Sequence, residues 1–374
     1  MQFFYRTSCL SQPMLENVSY AKRSLLREIR YKEKYMSRKL IVLFAAFTLI
    51  LAGCGGAPTA SPAPAVPSPH PEAKPFRVAF ITPSAVNDMA FSQGIYEALM
   101  QIQEEMGGAA KMTFVYSQGM YVLTDATAAL RTYATQGYDL VIAHGSQYGD
   151  TVKEVAPEFP QTSFAWGTDS KTFGLPNVFA YEAASEQGGY VNGVLAASLT
   201  ASKKIGVIGP VEVGDAKLYV DGFKAGVAAT DPEIQVNVNY IGSFSDVVLA
   251  SETAAGYISD GADALTGTAQ MVVGPIGNAS ENNVLWFGTQ SNQTSLAPRI
   301  VVANQVYHWE VVLREIVAKI QAGRLGGDSF TITLANGGLV MEYNPDYALP
   351  ADIKTLGEKT VRGIVNGTIA IDLP

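Results

Sequence analysis

The sequence predicts an α/β protein of two doubly wound parallel-sheet lobes joined by a hinge. Three observations lead there. The chain has 374 residues, more than the ~250–300 at which a single core stops growing. From Phe76 onward, apolar runs of strand length alternate with amphipathic segments of helix length. A break at about 184–203 then divides the alternation into two series.

Strands are expected at 77–81, 112–116, 139–143, 163–166 and 177–181, and again at 204–208, 236–241, 262–265 and 284–287. Helices are expected at 90–106, 122–136, 150–158, 186–200, 216–229, 247–260 and 307–322. Continuous apolar strands separated by helices mean parallel sheets covered on both faces. Right-handed crossovers wind each sheet both ways. The expected first lobe is 76–184 plus about 300–325. The second is 185–299 plus about 326–345, and a C-terminal helix and tail fill 346–374.

Ligands of open α/β sheets bind beyond the carboxyl ends of the strands, so the loops there carry the candidates. The loop after the first strand holds Asp88, Phe91 and Ser92. Asp88 suits a ligand N–H and suits equally the cap of the helix that begins near Ala90. Phe91 offers a flat apolar face. The loop after the third strand reads His144-Gly145-Ser146-Gln147-Tyr148-Gly149. Its glycines admit close backbone approach, and His144, Ser146 and Gln147 suit hydrogen bonding. There is no G-x-S-x-G elbow and no phosphate-binding G-x-x-x-x-G-K-[ST] loop. The three histidines are scattered, and the two cysteines, Cys9 and Cys54, form no metal-ligand cluster. Neither catalysis nor a metal or cofactor is expected.

The N-terminus reads as an address. Met36-Ser37-Arg38-Lys39 is basic, 40–51 is a largely apolar run of 12 residues, and Leu51-Ala52-Gly53-Cys54 follows. A run that short falls below the ~20 residues a membrane-spanning helix needs, so it reads as a signal-peptide core. The Leu-Ala-Gly-Cys string resembles a bacterial lipobox, which implies a diacylated Cys54 as the mature N-terminus, held on the extracytoplasmic face of the cell membrane. Residues 1–53 are thus a leader, with translation expected from Met36. Residues 54–75 are rich in Pro, Ala, Ser and Gly and read as an extended tether. The net charge of −8 hides an asymmetry: the leader holds nine Lys/Arg against three Asp/Glu, leaving 17 basic and 31 acidic residues from Cys54 onward. That acidity argues against a nucleic-acid partner.

The stretch 181–197, the following Lys204-Ile205-Gly206-Val207-Ile208-Gly209, and Gly222-Phe223-Lys224-Ala225-Gly226 carry a resemblance. So do Asn239-Tyr240-Ile241-Gly242-Ser243-Phe244-Ser245-Asp246 and Asn366-Gly367-Thr368-Ile369-Ala370-Ile371. Together they resemble the basic-membrane-protein (BMP) family of ABC-importer binding proteins, whose best understood members are purine nucleoside receptors. The resemblance implies a type I periplasmic-binding-protein fold with three crossovers between lobes. It also implies a protein that binds a small molecule and delivers it to a membrane permease; two sheets linked by flexible crossovers around a cleft lead to the expectation of a monomer. In the family's Asp-x-x-Phe-Asn loop, Asp88 and Phe91 match while Ser92 replaces Asn. Tyr219 falls where a second aromatic, opposite Phe91, is expected. The family's Gly-x-Asp-Ser-Asp-Gln motif is Gly288-Thr289-Gln290-Ser291-Asn292-Gln293 here, so Gln290 stands in place of a ribose-clamping Asp. Tyr307 replaces a Lys within Tyr307-His308-Trp309-Glu310. The aromatic segment, Trp309 included, resembles a branch in which ligands without ribose are plausible. A nucleobase, a nucleoside or another planar heterocycle is the expected ligand. A lipoprotein that senses such a ligand and signals to a membrane regulator is the alternative.

Overall fold

The computed structural model describes residues 74–373. Cys54, the signal segment and nearly all of the tether lie outside them, as do Cys9 and His70. Among the described residues no helix is long and apolar enough to cross a membrane.

The first series forms one six-stranded sheet. β1 (Phe76–Ile81), β2 (Met112–Ser117), β3 (Leu140–His144), β4 (Ser163–Gly167) and β5 (Val178–Ala183) are joined by α1 (Phe91–Glu105), α2 (Leu123–Thr135) and α3 (Gly149–Val155). The second series is β6 (Lys204–Gly209), β7 (Gln235–Tyr240), β8 (Ala264–Gly267), β9 (Leu285–Gln290) and β10 (Val301–Tyr307). It is joined by α4 (Ser185–Leu199), which precedes β6, then α5 (Gly214–Thr230), α6 (Val247–Ser259) and α7 (Val273–Asn282). The chain then runs α8 (Glu310–Gln321), β11 (Ser329–Ile332), β12 (Leu339–Tyr343) and α9 (Ala351–Val365). Sheet orders are β11-β5-β4-β3-β1-β2 and β12-β10-β9-β8-β6-β7. Among the described strands every pairing is parallel except β10 with β12.

Each sheet is covered on both faces. Phe80, Leu140 and Phe179 meet Ile95 and Leu99 of α1 and Leu313 and Ile316 of α8 on one face of the first sheet. Val141 and Phe164 meet Leu130 and Val152 on the other. In the second sheet Val207 and Phe287 lie under α4, α5 and α9, while Ile208, Leu265 and Trp286 lie under α6 and α7. Each fully buried Ile, Leu or Phe is worth about 1.5–3 kcal/mol of transfer free energy. This is why near-continuous apolar runs specify the central strands.

Two departures from expectation matter. The crossovers fall after Ala183, after Tyr307 and after Ile332, because β10 pairs with β9 and β11 pairs with β5. Residues 301–307 therefore belong to the second lobe and 329–332 to the first, where boundaries near 300 and 325 were expected. The last segment is not separate either, since α9 packs on the second lobe. The crossovers lie side by side: Ala184 N–H donates to Ile332 O at 3.0 Å, and His308 N–H donates to Gly338 O at 2.8 Å. The second departure is α7 (Val273–Asn282), a helix where none was expected. Pro275 sits in the first turn, where its missing N–H costs no helical bond.

Candidate functional site

The carboxyl ends of β1, β3 and β4 face those of β6, β8 and β9 across a cavity. The first lobe lines it with Pro83, Phe91, Gly145, Ser146, Gln147 and Thr168. The second contributes Asp215, Ala216, Phe244, Ala269, Gln270 and Gln290. Its volume is about 20 Å³, on the order of one water. The lobes are closed on each other: Ser291 Oγ donates to Ala90 O at 2.7 Å, and Ala90 packs with the second-lobe residues Ile208 and Met271.

Phe91 begins α1 and lies flat on His144, with ring centroids 4.1 Å apart and planes 16° apart. His144 is the buried backing of that ring. The Tyr181 hydroxyl donates to its Nδ1 at 2.7 Å, which leaves Nε2–H for the carbonyl of Phe91 at 3.4 Å. Burial pushes the His144 pKa down to about 3, so the imidazole is neutral. Trp309 wedges its ring against the edges of His144, Tyr181 and Tyr307. His144 and Trp309 thus position Phe91 from behind, and neither lines the cavity.

Asp88 is a correction. Its carboxylate accepts the N–H groups of Ala90, Ser92 and Gln93 at 2.9, 3.0 and 3.1 Å, plus the Ser84 hydroxyl. Both oxygens are committed to the start of α1, whose free N–H groups need acceptors. Ser92 is buried beneath that turn and accepts from Thr82 Oγ1 at 2.6 Å. Tyr219 is a second correction. It is fully buried in the second lobe, its hydroxyl held by Asn192 Nδ2 at 2.9 Å and Thr266 Oγ1 at 2.8 Å. Burial pushes its pKa up to about 12. The aromatic ring that the second lobe brings to the cavity is Phe244, from the loop after β7.

Gln290 does line the cavity, in a left-handed backbone conformation (φ 75°), with its Oε1 accepting from Ala269 N at 3.2 Å. Beside it is the charge that sequence reading missed. Asp215, in the first turn of α5, receives Thr168 Oγ1 of the opposite lobe on Oδ1 at 3.0 Å. Gln290 Nε2 and the Tyr307 hydroxyl both stand 3.5 Å from its Oδ2. Burial raises the Asp215 pKa, and the hydrogen bonds oppose the rise. The N-terminal end of α5 also favours a negative charge. Tyr307 is buried behind this carboxylate. Among the described residues no Lys, Arg or His lines the cavity, and Gln270 Oε1 is buried without a partner there. Asp215, Phe244, Thr168 and Gln270 all follow the carboxyl ends of strands, Asp215 in the first turn of the helix that comes next. Applying that rule to the second series, rather than matching family positions there, would have found three of them.

Two doubly wound lobes, three adjacent crossovers and a polar, aromatic cavity between the lobes define the type I periplasmic-binding fold. Residues 76–372 match the family described as ABC transporter substrate-binding protein PnrA-like (Bmp), and the chain belongs to it. It is similar to a purine-binding protein of Brucella abortus, 25% identical over 304 residues, spanning 80% of this chain and 83% of that protein. It is also similar to the ABC transporter nucleoside-binding protein BmpA of Lactococcus lactis, 26% identical over 307 residues (77% and 86%). A solute-binding protein structure from Aeropyrum pernix has the same fold, with TM-score 0.70 at 18% identity over 80% of this chain and 94% of that one. Membership of a substrate-binding family implies a small-molecule ligand, a permease partner and a place outside the cytoplasm.

Proposed function

We propose that the protein is a lipid-anchored receptor, monomeric, that closes on a purine base or nucleoside and delivers it to an ABC permease. One observation carries the choice of ligand. Phe91 and Phe244, from opposite lobes, line the same cavity as a buried carboxylate, Asp215. Two aromatic side chains brought to one cavity from opposite lobes suit a planar ring, with stacking worth ~1–3 kcal/mol per base by analogy with nucleic-acid platforms. The carboxylate and the unpartnered Gln270 Oε1 supply acceptors for ring N–H or hydroxyl groups. The relatives named for purine and nucleoside binding point the same way.

Calorimetric titration with adenine, guanine, adenosine, guanosine and a panel of sugars tests the reading. Binding of at least one purine, abolished or strongly weakened by Phe91→Ala and by Phe244→Ala, is the expected result. Tight sugar binding without any heterocycle binding would overturn it. The anchor has its own test. Mass spectrometry of protein extracted from membranes should find Cys54 as an acylated N-terminus, and an unmodified Cys54 inside a longer chain would refute the lipoprotein assignment.

A further inference from the structure

We infer that Asp215 sets the specificity of this receptor, selecting an uncharged ligand that presents two adjacent hydrogen-bond donors and rejecting anionic ligands. The inference rests on the purine reading and deepens it.

The Asp215 carboxylate has unfilled hydrogen-bonding capacity. An ionised carboxylate has about four acceptor positions on two oxygens. Asp215 Oδ1 holds one good bond, from Thr168 at 3.0 Å. Oδ2 has only Gln290 Nε2 and the Tyr307 hydroxyl, each at 3.5 Å, beyond the usual range for a firm hydrogen bond. A side chain only 8% exposed has little access to water, so this oxygen is under-bonded. Gln270 Oε1, lining the same cavity, is a second buried acceptor with no partner. The weakly bonded Oδ2 and the unpartnered Gln270 Oε1 are both acceptors, so the complementary ligand presents donors.

Charge points the same way. The lining carries one acid and no base. A phosphate or carboxylate placed there would meet Asp215 without a cation to offset it, at the cost of burying like charges together. A neutral group with two neighbouring donors fits the carboxylate in the bidentate manner that makes such pairs strong. Two parts of a purine ligand have that chemistry: the N1–H and 2-amino pair of a guanine ring, and the vicinal 2′,3′-hydroxyls of ribose. The Thr168 bond crosses between lobes, so a ligand seated on Asp215 also fills the space where first lobe and second lobe meet.

Calorimetry on the purified full-length protein separates the two sources. The probes are guanine against hypoxanthine, which lacks the 2-amino group, and guanosine against 2′,3′-dideoxyguanosine, with guanosine 5′-monophosphate as the anion. Loss of the relevant donor pair should weaken binding at least tenfold in one comparison. Guanine favoured with the two nucleosides equal assigns the base edge to Asp215. Guanosine favoured over its dideoxy analogue with the two bases equal assigns the diol. In Asp215→Asn the discriminating ratio should collapse toward one, and the monophosphate penalty, expected to exceed a hundredfold, should shrink. Equal affinities within both pairs in the unmodified protein would overturn the inference while leaving the purine reading intact, and that comparison needs no variant. Monophosphate binding as tight as guanosine would also overturn it. Failure of every purine to bind would remove both this inference and the reading beneath it.

Discussion

A single buried ring decides how firmly the first aromatic face is held. Phe91 lies on the neutral imidazole of His144, and that neutrality makes the site acid-sensitive. Unfolded, His144 titrates near 6.5; folded, burial holds it at about 3. Between those values the unfolded chain binds a proton that the folded chain does not. Stability is therefore complete above pH 6.5 and falls as pH drops toward 3, by on the order of 5 kcal/mol at the low end. His308 acts in the opposite sense: its bond to Glu310 raises its pKa, so its contribution is present at low pH and lost as pH rises through the raised value. Comparing denaturant unfolding of the unmodified protein and His144→Gln from pH 7.5 to 4 isolates the first effect. The variant should be less stable at pH 7.5 and should lose less on acidification; parallel curves would refute the buried-neutral assignment. Asp215 behaves differently. Its raised pKa means that ionising it costs stability as pH rises through that value. Asp215→Asn should therefore raise the melting temperature near pH 7.5 while weakening ligand binding, and a lowered melting temperature would contradict this. Phe91 was legible in the sequence because it sits just past the first strand's carboxyl end. Tyr219 misled because it and Phe244 are both aromatics of the second series, and only three-dimensional packing shows that Tyr219 turns into the core. Asp88 illustrates a different limit: a carboxylate one turn before a helix fits a cap and a ligand equally well, and only its bonded partners decide.

The second lobe is organised by the contact of α4 with α5. Gly189 and Gly193 on α4 face Gly222 and Gly226 on α5 so closely that a Cβ on any of the four would collide with backbone of the other helix. At Gly226 the obstacle is the Tyr190 carbonyl, and at Gly193 it is that of Phe223. Backbone cannot yield as a side chain can, so Gly226→Ala should cost about 1–3 kcal/mol. Gly256, inside α6, has nothing within 4 Å of the same added atom. There Ala removes only the entropic penalty of glycine in a helix, so Gly256→Ala should stabilise by about 0.5–1 kcal/mol. Urea midpoints for the two variants should move in opposite directions, and a shared direction would mean that the helices do not meet as described. This contact also sets the position of Asp215, which stands in the first turn of α5. The glycines were visible in the sequence, as were the central strands, whose continuous apolar runs leave little choice. The edges were harder. β10 carries the buried Asn304 and Gln305, which interrupt its apolar pattern, and these two are satisfied only by partners distant in the chain or across the sheet. β11 and β12 are short and only partly buried, so nothing in composition marks them. Missing them displaced the expected crossovers.

At the scale of the whole molecule, the proposed function rests on an equilibrium between open and closed lobes. Closure is held across the cleft by Thr168 on Asp215 and by Ser291 on Ala90 O. Little free space, about 20 Å³, remains between the lobes, so the proposed receptor function calls for the lobes to part and close again around a ligand. A ligand shifts this balance only through its better fit to one state. The Ser291–Ala90 bond is a useful handle because Ala90 O lies at the start of α1, one residue from Phe91, while neither bonded atom lies among the cavity-lining residues. One such bond is worth about 1 kcal/mol, so Ser291→Ala should shift the open-to-closed ratio about fivefold toward open. Small-angle scattering should then show a larger radius of gyration without ligand in Ser291→Ala than in the unmodified protein. Saturating ligand should bring both proteins to the same, smaller radius. Apparent affinity should fall by no more than that fivefold, because the variant alters the population able to close and leaves the contacts to the ligand unchanged. A radius insensitive both to ligand and to this substitution would mean that the lobes do not hinge. An unchanged free radius with a much larger loss of affinity would mean that Ser291 contacts the ligand directly.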